Sequence, residues 1–169
     1  MNKKFFLIGV AALMLPMAMH AQYTIYPVPH EQTAGTGKVS FTKNVNVICD
    51  NGIDQYTKKR VTNVFAEKGI TVNFSDAAST TESNVYLGIN GAKGKGNEVA
   101  TSLGLALDVL SKENKFDRHI LSLTDAGNGV AQLLVLGENT DATFMGLASL
   151  EQILDNGTSD LQTVTLNDY

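Results

Sequence analysis

The strongest constraint on the fold is the order in which two hydrophobic periodicities alternate along the chain. Lys43–Cys49 (KNVNVIC) carries Val45, Val47 and Cys49 on alternate positions, the two-residue period of a strand. Ile53, Tyr56, Arg60, Val61, Val64 and Phe65 then recur at helical spacing. Ile70–Phe74 and Asn84–Ile89 read as strands, and Glu98–Leu110 as a second helix. His119–Thr124 and Val130–Leu136 read as two strands around a turn holding Asp125, Gly127, Asn128 and Gly129, a hairpin signal. A third helix runs to Leu154, and Leu161–Leu166 closes the series as a strand. Helices interleaved with strands define an α/β (α+β) sandwich, and the hairpin makes its sheet mixed, with about three packing helices.

The connections carry their own signals. Asp50 and Asn51 are N-cap types before the first helix, and Gly69 suits its stop after Lys68. Gly35–Lys38 reads as a turn, and Ser75–Ser83 as a polar loop. Gly104 inside the second helix weakens it by about 1 kcal/mol relative to Ala. Asn139 or Thr140 caps the third helix, which Asn156 and Gly157 end. Two prolines in Tyr26-Pro27-Val28-Pro29 hold the preceding segment extended.

Residues 1–21 read as a signal peptide. Lys3 and Lys4 form a positive head, Phe5–Met19 an apolar run too short for the roughly 20 residues of a bilayer span, and Ala21 a small residue at the cleavage point. The expectation is an exported protein, periplasmic or extracellular, whose mature part spans residues 22–169. Without the two lysines the balance is 11 basic to 17 acidic residues, which gives no reason to expect nucleic-acid or membrane partners. The single Cys cannot form an internal disulfide, so the fold relies on its core.

Motifs for chemistry are few. Metal sites use closely spaced ligands, and neither His30 nor His119 has a second His nearby, so both read as surface or edge side chains and no metal is expected. Cys49 at the end of its strand reads as a buried inert thiol, and nothing brings His119 to it as a base. Gly91-Ala92-Lys93-Gly94-Lys95-Gly96 follows a strand and precedes a helix as a phosphate loop would. However, Asn97 and Glu98 replace the required Lys and hydroxyl, and Val99 stands where GxGxxG needs its last Gly. The segment is therefore a plain turn, and no cofactor is expected. Asp117 with Asp125, and Glu138 with Asp141, read as solvated charges and caps. No catalytic residue is nominated.

The run from Val130 to Leu154 is the most specific part of the chain. Gly137, Asn139, Thr140, Asp141, Ala142, Phe144, Gly146, Leu147, Leu150, Gln152 and Ile153 follow the pattern G-x-[DN]-T-D-A-x-F-Y-G-L-x-T-L-x-Q-I, with Met145 for Tyr and Ser149 for Thr. This resembles the non-catalytic N-terminal domain of bacterial β-N-acetylhexosaminidases of glycoside hydrolase family 84 and, more distantly, family 20. Tyr26-Pro27-Val28-Pro29, Val85–Ile89 and Val164–Tyr169 agree with it. Physically, the motif caps a helix, lets it approach the sheet at Gly146, and buries Phe144, Leu147 and Leu150, each worth about 1.5–3 kcal/mol.

The resemblance implies a hexosaminidase domain 2-like accessory domain over residues 22–169. Catalysis in the family belongs to a separate C-terminal (β/α)8 barrel, which would be this domain's partner and needs about 200–250 residues of its own. It also implies a secreted glycoside hydrolase acting on β-linked N-acetylglucosamine or N-acetylhexosamine glycans, with this chain inert alone. An apolar docking patch is expected near the C-terminus. The alternative is a stand-alone glycan-binding or interaction module, which the absence of Trp argues against. A small enzyme built on Cys49 or on Gly94 and Gly96 is a third reading, opposed by the motif failures above.

Overall fold

A computed structural model describes residues 23–111 and 117–168. The expected signal peptide, residues 1–21, lies outside them. Seven strands form one mixed sheet: β1 (Glu31–Val39), β2 (Asn44–Cys49), β3 (Thr71–Phe74), β4 (Ser83–Ile89), β5 (His119–Asp125), β6 (Ala131–Gly137) and β7 (Leu161–Asp168). Their order across the sheet is β1-β7-β5-β6-β4-β2-β3. The four strands from β6 to β3 are mutually parallel, while β5, β7 and β1 pair antiparallel.

The central strands are apolar on both sides because both sheet faces are covered. Val45, Val47, Val85, Leu87, Leu121, Leu123, Leu133 and Val135 point to the larger core, shared with Val61, Val64, Phe65, Leu147, Leu150 and Ile153. Ile48, Tyr86, Ile120, Leu134 and Leu136 point to the smaller one, with Ala100 and Leu110. The first face lies under α1 (Gln55–Ala66) and α3 (Thr140–Leu154), and the second under α2 (Lys95–Ser102) and a short 3-10 helix, Leu107–Ser111. The expected mixed sandwich with three α-helices is thus the observed fold.

Three local expectations are corrected. Gly35–Lys38 is no turn: β1 runs straight through it, pairing with β7 on both sides of a register shift between Ala34 and Lys38. The glycines are there because Thr163 of β7 fills the space. A Cβ on Gly35 would collide with the Thr163 hydroxyl, which accepts from Gly37 N at 3.2 Å and donates to Gly37 O at 3.0 Å.

The first helix begins three or four residues late, because Gly52 turns the chain with φ +96° and the cap is Asp54, not Asp50 or Asn51. Tyr56 then falls about 140° round the helix from buried Val61 and is exposed rather than part of the core face.

The second helix occupies Lys95–Ser102 instead of Glu98–Leu110. Gly104 ends it: with φ +65°, it donates to Thr101 O at 3.0 Å while Leu105 N donates to Ala100 O at 3.1 Å, the paired bonds of a Schellman stop. Gly69 ends α1 the same way, as expected, with φ +72° and bonds from Gly69 N to Ala66 O and Ile70 N to Phe65 O.

Candidate functional site

An open α/β sheet ordinarily binds ligands where successive connections leave toward opposite faces, at the carboxyl ends of the parallel strands. Here that crevice lies between β2, which leads into α1 over one face, and β4, which leads into α2 over the other. The glycine-rich segment forms its rim. Asp50, the residue after β2, fills it.

The backbone N–H of Asp50 donates to Leu87 O at 2.8 Å, extending the β2–β4 ladder by one bond and aiming the side chain beneath the rim. Asp50 is buried there. Its Oδ1 accepts from Gly96 N at 2.9 Å, and its Oδ2 from Asn97 Nδ2 at 3.3 Å. Gly94 is the N-cap of α2 and has no side chain to offer. The capping oxygen is therefore supplied from another element, 46 residues away in sequence. The close fit explains the glycines. A Cβ on Gly94 would overlap the Asp50 carboxylate, and one on Gly96 would stand 2.7 Å from Oδ2 and 2.9 Å from Gly88 Cα. The loop that resembles a phosphate cradle thus holds a carboxyl group belonging to the chain itself.

Burial pushes the Asp50 carboxyl above its ordinary range. The amides of Gly96 and Ile89 and the Asn97 side chain pull it partly back, and Glu98 adds to the rise. Asn97 ties the rim down further, donating to Ile89 O at 2.8 Å and Ala92 O at 3.1 Å while its Oδ1 accepts from Gly91 N at 3.0 Å.

Beside the crevice, Cys49, Asn51, Lys58, Phe74 and Asp76 border an open groove of about 380 Å³. Cys49 is half-buried, and desolvation raises its thiol to about 11, with Lys58 lowering it and Asp50 raising it. At neutral pH it is a thiol, not the thiolate a nucleophile requires. His119 stands at the same end of the sheet but three strand spacings away, roughly 14 Å, so no Cys–His pair forms.

The other candidates separate similarly. His30 is exposed, as expected, but His119 is neither at the surface nor on an edge: β5 is an interior strand and the ring is buried, with Nδ1 3.0 Å from Asp117 O. The sequence reads it as a strand terminus, but the strand terminates beneath α3. Asp117 lies two residues before β5 and Asp125 is its last residue, roughly 26 Å apart by strand rise. Asp125 accepts from Gly127 N at 2.7 Å and Gly129 N at 3.0 Å, holding the hairpin turn. Asp141 is an exposed charge in the first turn of α3, whose cap is Asn139, accepting from Ala142 N at 2.9 Å.

One cluster escaped the sequence reading. Arg118, His119, Asn167 and Asp168 meet His30 and Glu31 around a cleft of about 70 Å³, with Asn167 Nδ2 donating to Glu31 Oε2 at 2.9 Å. Its volume suits about two water molecules, far less than a sugar ring. Nothing in the local sequence announces it, because β1, β5 and β7 are distant along the chain. Among the described residues, no group of three or more His, Cys, Asp or Glu is placed to hold a metal ion, and no helix is long and apolar enough to cross a membrane.

Fold and site together define an open, mixed α/β domain that fills its own ligand crevice. Within that class the chain belongs to the family described as glycosyl hydrolase family 20, domain 2, whose model matches residues 22–169. It is similar to the solved structure of CpGH84D, with 28% identity and a TM-score of 0.78 over 88% of this chain and 24% of that one. It is also similar to CpGH84B, with 22% identity and a TM-score of 0.59 over 86% of this chain and 22% of that one. The chain thus spans about a quarter of the length of these proteins. No curated protein matches it. It is a hexosaminidase-like non-catalytic domain.

Proposed function

We infer that the chain is the non-catalytic domain of an exported glycoside hydrolase acting on β-linked N-acetylhexosamine glycans, carried out of the cytoplasm by residues 1–21. The filled crevice carries this reading: where an open α/β sheet would take a substrate, Asp50 occupies the position and spends its oxygens on α2. The family membership supports the class of enzyme, and the N-acetylhexosamine preference rests on the resemblance that the motif from Gly137 to Ile153 carries. The domain's contribution is a rigid packing surface beside a catalytic barrel.

The test is to incubate the purified chain with an aryl N-acetyl-β-D-glucosaminide. No release of the aryl group above the buffer rate is expected, and sustained turnover overturns the reading. Two exposed tyrosines, Tyr26 and Tyr56, favour the second reading of a glycan-binding module. Saturable heat on titration with N-acetylglucosamine oligomers would select it.

A further inference from the structure

Four asparagines are followed directly by glycine: Asn51-Gly52, Asn90-Gly91, Asn128-Gly129 and Asn156-Gly157. This pair carries a chemistry of its own. The glycine backbone nitrogen, unshielded by a side chain, can attack the asparagine Cγ and close a five-membered ring. The attack needs a free N–H and a loose asparagine side chain, so a hydrogen bond on either one opposes it.

Three of the pairs are tied. Gly91 N donates to Asn97 Oδ1 at 3.0 Å, and Gly129 N donates to Asp125 Oδ1 at 3.0 Å. Gly157 N donates to Leu154 O at 3.0 Å. The Asn156 amide is held as well, donating to Gln152 O and to Ile153 O at 3.2 Å each.

Asn51-Gly52 differs. These residues are the middle of a turn that Ile53 N closes onto Asp50 O at 3.3 Å, with Gly52 at φ +96° in the third position, as a type II turn requires. The hydrogen bond of such a turn joins its first and fourth residues, which leaves the N–H of the third outside it. Among the described residues, neither the Gly52 N–H nor the Asn51 side chain takes part in a hydrogen bond. Both residues are exposed, and both border the open groove beside the crevice, where water reaches them.

We propose that Asn51 is a site of spontaneous self-modification, at which the folded chain deamidates with water as the co-reactant. Gly52 N gives its proton to hydroxide and attacks Asn51 Cγ. A C–N bond forms, the Cγ–Nδ2 bond breaks, and Nδ2 leaves as ammonia with a proton taken from water. Water then opens the succinimide ring. Cleavage of the ring bond at Cγ gives aspartate, and cleavage at the main-chain carbonyl carbon gives isoaspartate. Either product places a new carboxyl beside Asp50 and Cys49 on the groove. Isoaspartate also adds a carbon to the main chain, in the turn that leads to the Asp54 cap of α1.

The experiment incubates the 169-residue chain at about pH 8, folded and in guanidinium chloride, then digests it and follows the mass gain of about 1 Da at each asparagine. In the folded chain Asn51 is expected to convert on the order of tenfold faster than Asn90, Asn128 and Asn156, whose tying bonds must open first. In denaturant the four rates are expected to converge, because each asparagine precedes the same residue. Asp125→Ala removes the acceptor of Gly129 N and is expected to raise conversion at Asn128 severalfold while leaving Asn51 unchanged. Conversion of folded Asn51 no faster than the other three overturns the proposal. So does the same ordering in denaturant, which would assign the preference to neighbouring sequence and not to the turn. An Asn128 rate unmoved by Asp125→Ala overturns the role given to the glycine N–H.

Discussion

Gly146 of α3 lies directly against the buried imidazole of His119. A Cβ at this position would stand 2.9 Å from His119 Cδ2 and 2.6 Å from Val135 Cγ1. The helix can therefore seat on β5 and β6 only because residue 146 has no side chain. Gly146→Ala adds a methyl where two packed side chains must yield, a strain of about 1–3 kcal/mol. The substitution recovers about 1 kcal/mol of helix propensity. The expected outcome is a net loss of roughly 1 kcal/mol, seen as a melting temperature about 3 °C lower. A melting temperature at or above that of the wild type contradicts the close seating of α3.

Asp50 is the second point where one side chain holds two elements together. Asp50→Ala leaves the Gly96 N–H buried without an acceptor and is expected to cost about 1–3 kcal/mol. Asp50→Asn keeps an oxygen for Gly96 and removes the desolvated charge, so it should cost less. The pH dependence separates the two effects. Because the folded-state carboxyl is raised, the folded chain holds its proton more tightly than the unfolded chain. The resulting stabilisation is fully present below the ordinary Asp range and is lost as pH climbs through the raised value. Chemical denaturation across that interval should show Asp50→Asn gaining on the wild type as pH rises, then running parallel to it. A constant difference at every pH contradicts the buried charge.

How legible these features were depends on where the partner of each residue lies. The strands β2, β4 and β6 and the helix α3 were readable because their burial is written in local periodicity, and Gly69 because it follows the last apolar position of its helix. Gly104 uses the same stop, yet apolar residues continue after it through Leu110, so periodicity alone runs past the break. Strand β1 was hidden because Gly35 and Gly37 answer to Thr163, more than a hundred residues later. The glycine-rich segment lacks the Lys and hydroxyl of a phosphate loop. Its true ligand, Asp50, was mistaken for a helix cap: it does cap a helix, but α2 rather than α1.

Asp54 gives the opposite pH signature to Asp50. Its carboxylate accepts from Thr57 N at 2.7 Å, and this backbone bond is the leading cause that holds its carboxyl below the ordinary range. Its contribution is present above the ordinary Asp value and is lost as pH falls through the lowered one. Asp54→Ala should therefore cost about 1 kcal/mol near neutrality, and the gap to the wild type should close in acid. Denaturation midpoints at neutral pH and at about pH 2 measure both arms, the lower value lying well below an ordinary Asp carboxyl. A gap that persists unchanged in acid contradicts a cap made by the ionised carboxylate.

Cys49 tests whether the groove beside the crevice holds a reactive group. Its thiol, raised by burial to about 11, is almost wholly protonated at pH 8. Alkylation proceeds through the thiolate, so iodoacetamide should modify native Cys49 on the order of 100-fold more slowly than free cysteine at that pH. Unfolding in denaturant removes the desolvation and should restore the ordinary rate. Lys58→Ala removes the charge that lowers the thiol, since Asp50 acts in the opposite direction, and should slow native alkylation further. Rapid alkylation of the folded chain at pH 8 would mark Cys49 as an activated thiol, and with it the groove as a site of chemistry.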